Sequence, residues 1–155
     1  MLSARLVRLI EEHAEPLTEG LLKDLLSNPR TKSLHKISRE QLLHLAHEVY
    51  RHLGEWLGHR ADERIEVSYS RFGERAQVEG LPLSDALYAL ILVKYHLRDY
   101  VHSAGLLDTA VELYQQLELY RLVGNFFDEA MYCVAKGYER AAGRHEPKVA
   151  AAHAG

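Results

Sequence analysis

The stretch from Leu106 to Ala142 contains no proline and closes on Asn125-Phe126-Phe127-Asp128-Glu129-Ala130 and Lys136-Gly137-Tyr138-Glu139. It reads as one long helix. Leu113, Leu117, Tyr120, Gly124, Phe127, Met131, Val134 and Tyr138 step by alternating fours and threes, a repeat of about 3.5 residues that sets one apolar stripe against neighbouring helices. At ~1.5 Å per residue the helix is roughly 50 Å long, against roughly 30 Å for a neighbour of ~20 residues. The excess must kink, protrude or meet a partner, which makes these residues the candidate packing or dimer interface.

Working back toward the N-terminus, the helix is entered through an Ala104-Gly105 connector. Before that, Ser84 to Ser103 carries the run Asp85-Ala86-Leu87-Tyr88-Ala89-Leu90-Ile91-Leu92-Val93, apolar nearly all round, as expected of a central helix covered on several faces. Ser84-Asp85 has the form of a helix cap. A helix over Ala61–Val78 shows the narrower stripe Ile65, Tyr69, Phe72 and Ala76 among acids and arginines, and Glu79-Gly80-Leu81-Pro82 ends it. Ser38-Arg39-Glu40-Gln41 has the pattern of a capping box. On the helix it opens, Leu42, Ala46, Val49, Leu53 and Trp56 share one face, with His44, Glu48, Arg51 and Glu55 opposite and His47 at the edge. Ser3 to Ser27 is leucine-rich with Pro16 in its middle, which predicts a kink or two short helices, because proline removes a backbone donor and crowds the preceding turn. Asn28-Pro29 stops it, and Arg30 to Ile37 reads as a polar connector.

No segment shows the alternation of a strand, and no fixed-period repeat appears. The fold class is therefore all-α, four to five helices in a bundle, with globin-like packing possible and a long C-terminal helix. Residues 1–143 form one domain, and 144–155, alanine-rich after Arg144-His145-Glu146-Pro147, form a flexible tail. With 155 residues and 47% apolar content the chain can bury one real core. Its charge of −3 comes from interleaved acids and bases, so no footprint for nucleic acid or anionic lipid stands out. We find no signal peptide and no run of about 18 apolar residues. The single cysteine, Cys133, excludes an internal disulfide and suits a reducing cytoplasm.

Ten histidines invite a metal or haem reading. His44 and His47, near Glu48, could hold Zn²⁺ if a third ligand came from elsewhere, although solvated polar residues of a helix face account for them more cheaply. His96 follows the apolar run of the central helix and is the axial candidate for a globin-like haem or small-ligand carrier, against the simpler role of a hydrogen-bonded boundary residue, with Tyr100 one turn on. Tyrosines at 69, 88, 95, 100, 114, 120, 132 and 138 could line a ligand cavity but more often sit at a core boundary. Cys133 reads as a small buried hydrophobe rather than a redox switch. Asp128, after two phenylalanines, reads as an ion-pair or hydrogen-bonding partner between helices. Di-iron bundles need paired Glu-x-x-His motifs, and the chain has none. It also lacks a Gly-x-Ser-x-Gly elbow and a phosphate loop. We expect no catalytic residue, cofactor or metal.

Phe72-Gly73-Glu74-Arg75-Ala76-Gln77-Val78-Glu79-Gly80-Leu81-Pro82-Leu83-Ser84-Asp85-Ala86-Leu87, then Leu90-Ile91-Leu92-Val93-Lys94, then Asn125–Ala130 and Lys136–Glu139, together resemble the N-terminal domain of RsbRD-type RsbT co-antagonists. The likeness spans Leu6 to Arg140. Domains of this type also precede some bacterial histidine kinases. The resemblance implies a cytoplasmic, non-enzymatic sensory or regulatory module of bacterial stress signalling, usually joined to an output domain. Only residues 143–155 follow Ala142, so either output runs in trans through a signalling partner or the sequence is a fragment of a longer protein; a homodimer is expected through the long helix.

Glycines in that family pattern carry physical expectations of their own. Gly80 permits the helix-ending turn, because glycine reaches positive φ without steric cost. Arg75 beside it is expected to bind the last carbonyls or an acid on a neighbouring helix. Gly124 and Gly137 each cost about 1 kcal/mol against alanine inside a helix, which predicts a close approach or a bend at both.

Overall fold

The computed structural model describes residues 4–57, 62–103 and 109–145. Among these residues there are only helices and their connections: α1 (Ala4–Glu12), α2 (Ala14–Ser27), a 3₁₀ turn (Lys32–Lys36), α3 (Arg39–Arg51), α4 (Leu53–Trp56), α5 (Asp62–Val78), α6 (Leu83–Ser103) and α7 (Ala110–His145). Counting α1 with α2 and α3 with α4, each pair parted by one residue, gives the five rods expected of the bundle. The Ala104-Gly105 connector, Ala61 and residues 146–155 of the expected tail lie outside the described residues. Arg144 and His145 do not belong to a tail, since they continue α7. The Arg144 Nη2 donates to Glu74 Oε1 on α5 at 3.3 Å.

The N-terminal break falls at His13 rather than at Pro16. Pro16 occupies the first turn of α2, where its missing N–H would have had no intrahelical partner. The Arg30–Ile37 connector is less polar than its composition suggests. Thr31, Leu34 and Ile37 are buried there, and the Thr31 hydroxyl donates to the Leu25 carbonyl at 2.7 Å. Ser38 caps α3 by accepting from the Gln41 amide at 3.2 Å, the serine half of the capping-box pattern. Leu42, Ala46, Val49, Leu53 and Trp56 are all buried, although the chain breaks at His52 between α3 and α4.

Gly80 ends α5 with φ +76, the left-handed conformation a C-terminal glycine supplies. Arg75 pairs there with Glu79 in the turn that follows its own helix, Nε to Oε1 at 3.4 Å, rather than with a neighbouring helix. Asp85 links two elements: the Ser33 hydroxyl donates to its Oδ2 at 2.6 Å, tying the 3₁₀ turn to the start of α6.

Helix α6 is central, touching α1, α2, the 3₁₀ turn, α5 and α7. It buries Ala86, Ala89, Leu90, Leu92, Val93, Leu97 and Val101. The most extensive helix pairing is nevertheless α5 with α7. Its cause is glycine. A Cβ on Gly137 would overlap the Ser70 carbonyl oxygen and lie 2.8 Å from the Ser70 carbonyl carbon, and a Cβ on Gly73 would overlap the Val134 carbonyl oxygen. The two backbones touch where neither residue carries a side chain. Around this crossing Phe72, Ala76, Phe127, Ala130 and Val134 are buried, each large apolar side chain contributing about 1.5–3 kcal/mol. Gly124 differs from expectation, because a Cβ there would meet nothing within 4 Å.

An aromatic cluster joins α4, α5 and α7. Trp56 and Tyr69 each pack against Phe126 with ring centroids 5.7 and 5.8 Å away, and Phe126 meets Phe127 edge-on at 4.9 Å. Tyr50, deep in α3, donates its hydroxyl to the Val93 carbonyl of α6 at 3.2 Å, and Tyr138 donates to the Leu81 carbonyl at 2.7 Å. The ion pairs lie at the surface, where solvent leaves them little net worth, so apolar burial decides the fold.

Candidate functional site

Helices α3 and α5 barely touch, and between them opens a cleft of about 590 Å³. The one-sided apolar stripe of α5 explains it. Tyr69 and Phe72 turn into the core, while Arg64, Ser68, Arg71 and Arg75, at i, i+4, i+7 and i+11, line the cleft beside them. The α3 wall carries Glu40, His44 and Glu48, and the floor is Ile37, Leu45, Trp56, Tyr69 and Phe72.

The walls are of opposite sign, yet no ion pair crosses the cleft among the described residues. Arg64 bonds Glu55 Oε2 at 3.0 Å and lies 4.9 Å over the Trp56 ring. Arg75 is held by Glu79. Glu48 faces His52 at 3.9 Å, and its backbone carbonyl accepts from the Trp56 indole at 2.9 Å. Arg71 is exposed and has no ion-pair partner among the described residues. Behind Leu45, Tyr69 and Phe72 lies an apolar void of about 40 Å³, lined further by Leu25, Leu34, Val49 and Val93. Burial pushes the Tyr69 phenol well above its usual range, so it presents a neutral group to this floor.

Most residues singled out from sequence lie elsewhere. His44 is exposed and borders both the cleft and a shallower hollow that it shares with half-buried His47, Glu15 and Glu19. No group of three or more His, Cys, Asp or Glu among the described residues is placed to hold a metal ion. His96 is half-buried and bonded through Nε2 to Asp24 Oδ2 of α2 at 2.9 Å, not to Tyr100, and it lines neither the cleft nor the void. Tyr100 instead packs on His13, ring centroids 5.7 Å apart. Asp128 is exposed with no ion-pair partner among the described residues, so its expected bond between helices is not formed. Cys133 is buried, its thiol 3.8 Å from Glu129 Oε1, and burial followed by the nearby Glu129 pushes its pKa up. Of the tyrosines named as cavity candidates, only Tyr69 lines the cleft, while Tyr95, Tyr114 and Tyr132 are exposed.

The long-helix stripe divides. Phe127 and Val134 are buried, Tyr120, Gly124, Met131 and Tyr138 are half-buried, and Leu113 and Leu117 are 49% and 58% exposed. With Val111 and Tyr114, also largely exposed, they put an apolar face on the first turns of α7. The row that packs inward is Gln116, Leu119, Val123, Phe126, Phe127, Ala130, Cys133, Val134 and Ala141. Sequence reading passed over the α5 arginines as a set. The signal lay in the 4-3-4 spacing of Arg64, Ser68, Arg71 and Arg75 alongside the Ile65, Tyr69, Phe72, Ala76 stripe.

No helix of the described residues is long and apolar enough to cross a membrane. Comparison of the chain with protein-family models, with curated proteins and with solved structures finds no match in any of the three.

Proposed function

We propose that this chain is a non-enzymatic regulatory module of bacterial signal transduction, working by contact as a cytoplasmic homodimer and passing its signal to a partner protein in trans. The observation that carries this reading is the apolar face on the first turns of α7, where Val111, Leu113, Tyr114 and Leu117 stand in solvent on a helix whose later turns are packed. Four large apolar side chains on two turns form the kind of patch that marks an interaction surface, where scattered single ones would not. The resemblance to RsbRD-type N-terminal domains supports the signalling setting. A population shift is the mechanism. A partner that binds one arrangement of α7 more tightly biases the bundle by that difference in affinity and by no more.

Light scattering coupled to size exclusion at micromolar concentration tests the dimer. Wild-type protein is expected at twice the chain mass, and the Leu113→Glu, Leu117→Glu double variant at the monomer mass with unchanged helicity. A monomeric wild type refutes the reading.

A further inference from the structure

We propose that the α3–α5 cleft is a binding site for an anionic amphiphile, an aliphatic carboxylate whose head group is held by Arg71 and Arg75 and whose chain lies along Leu45, Tyr69 and Phe72. This goes beyond the contact function of α7, none of whose residues lines the cleft.

Three features of the cleft fix the chemistry of its occupant. Its size, about 590 Å³, falls within the range of roughly 300–1,000 Å³ that small-molecule sites occupy. Its floor is aromatic and aliphatic, and the apolar void of about 40 Å³ begins directly behind Leu45, Tyr69 and Phe72, the residues common to floor and void. A void of that volume has room for a small group but almost no polar lining to hold a water, so it suits the end of an alkyl chain.

The charge balance supplies the third feature. Three guanidinium groups line the α5 wall, and the acids opposite do not reach them. Glu48 faces His52, Arg64 is committed to Glu55 and to the Trp56 ring, Arg75 meets only the partly exposed Glu79, and Arg71 has no ion-pair partner among the described residues. Arg71 and Arg75 are four residues apart, so their head groups lie on one side of α5 about one turn from each other. A planar guanidinium matches a carboxylate in two parallel hydrogen bonds. An acid entering this cleft gains partners that the protein itself does not provide to Arg71, while its hydrocarbon covers the apolar floor.

Trp56 is the only tryptophan in the chain and forms part of the floor, so its fluorescence reports occupancy without a label. Decanoate titrated below its micellar range is expected to give a saturable change in Trp56 emission. Decanol is expected to bind at least about tenfold more weakly, and decyltrimethylammonium weaker still, because both keep the chain and lose the anion. Arg71→Gln with Arg75→Gln is expected to weaken decanoate about tenfold or more, in line with the loss of charge-assisted hydrogen bonds. Both arginines are exposed on the surface of α5, and circular dichroism of the variant verifies its fold. The ligand series on wild-type protein needs no variant and stands by itself. Absence of a saturable response to decanoate, equal binding of the cation, or an undiminished affinity in the double variant overturns the proposal. Because the readout is binding to one chain, a monomeric wild type leaves it standing.

Discussion

Replacing Gly137 by alanine should destabilise the protein, although the same change normally strengthens a helix. Alanine in place of an interior helical glycine gains about 1 kcal/mol from backbone entropy. Against this, the new Cβ would overlap the Ser70 carbonyl oxygen and sit 2.8 Å from the Ser70 Cα and carbonyl carbon. A backbone carbonyl cannot rotate aside as a side chain can, so α5 and α7 must separate. A gap of ~0.5–1 Å forfeits a quarter to a half of each dispersion contact across it, and Phe72, Ala76, Phe127, Ala130 and Val134 all pack along this crossing. Overpacking of this kind costs about 1–3 kcal/mol, and a backbone obstacle places it at the upper end. The net loss is about 2 kcal/mol, a fall in Tm of roughly 4–8 °C for a chain of this size. Gly124→Ala is the internal control. With nothing within 4 Å of the added Cβ it should gain about 0.5–1 kcal/mol from the same entropy. Thermal melts followed by circular dichroism at 222 nm measure both. If Gly137→Ala melts at or above wild type, the backbone contact is not what holds α5 to α7.

Other expectations concern titration and buried polar atoms. Burial raises the phenols of Tyr50 and Tyr69 above the usual value of 10.0. Below that pH both folded and unfolded chains hold the proton. Above it only the unfolded chain releases it, so stability should fall by about 1.4 kcal/mol per pH unit per tyrosine. Urea midpoints that do not move between pH 9 and 11 contradict this. The raised Cys133 thiol should react with Ellman's reagent at pH 8 at least about tenfold more slowly in native protein than in urea. Equal rates would show the thiol to be accessible. Ser70 Oγ is buried without a hydrogen-bond partner among the described residues, so Ser70→Ala should be neutral or stabilising by up to about 1 kcal/mol. A loss larger than that would mean the hydroxyl has a role in the crossing.

The all-helical architecture was legible because helix signals are local. The Ser38 cap, the Gly80 stop and the face shared by Leu42, Ala46, Val49, Leu53 and Trp56 each depend on residues a few positions apart. What depends on tertiary placement was not. Pro16 is harmless because the break falls at His13 and puts it in a first turn, and no local rule fixes that choice. The Arg30–Ile37 connector looks polar in composition but anchors Leu34 and Ile37 in the core. A straight helix drifts ~20° per heptad against an apolar repeat of about 3.5 residues. Over the three heptads from Leu113 to Val134 the drift is about 60°, enough to carry the early members of the stripe out of the interface while Phe127 and Val134 stay in it. Gly73 gave no cue as a contact point, since its role exists only opposite Val134. The cleft arginines were visible as residues, but their common face acquires meaning only because α3 stands away from α5.

The contact at Gly137 also gives α7 a mechanical character. Leu113 lies 24 positions from it, a lever arm of roughly 36 Å at ~1.5 Å per residue. A tilt of α7 by about 5° around such a fulcrum would sweep the apolar end through roughly 3 Å. The same short segment of α5 bears on both places: Ser70 and Gly73 seat the fulcrum, and Tyr69 and Phe72 floor the cleft. An occupant of the cleft beneath Arg71 would therefore bear on the segment of α5 that seats α7, the longest of the described helices.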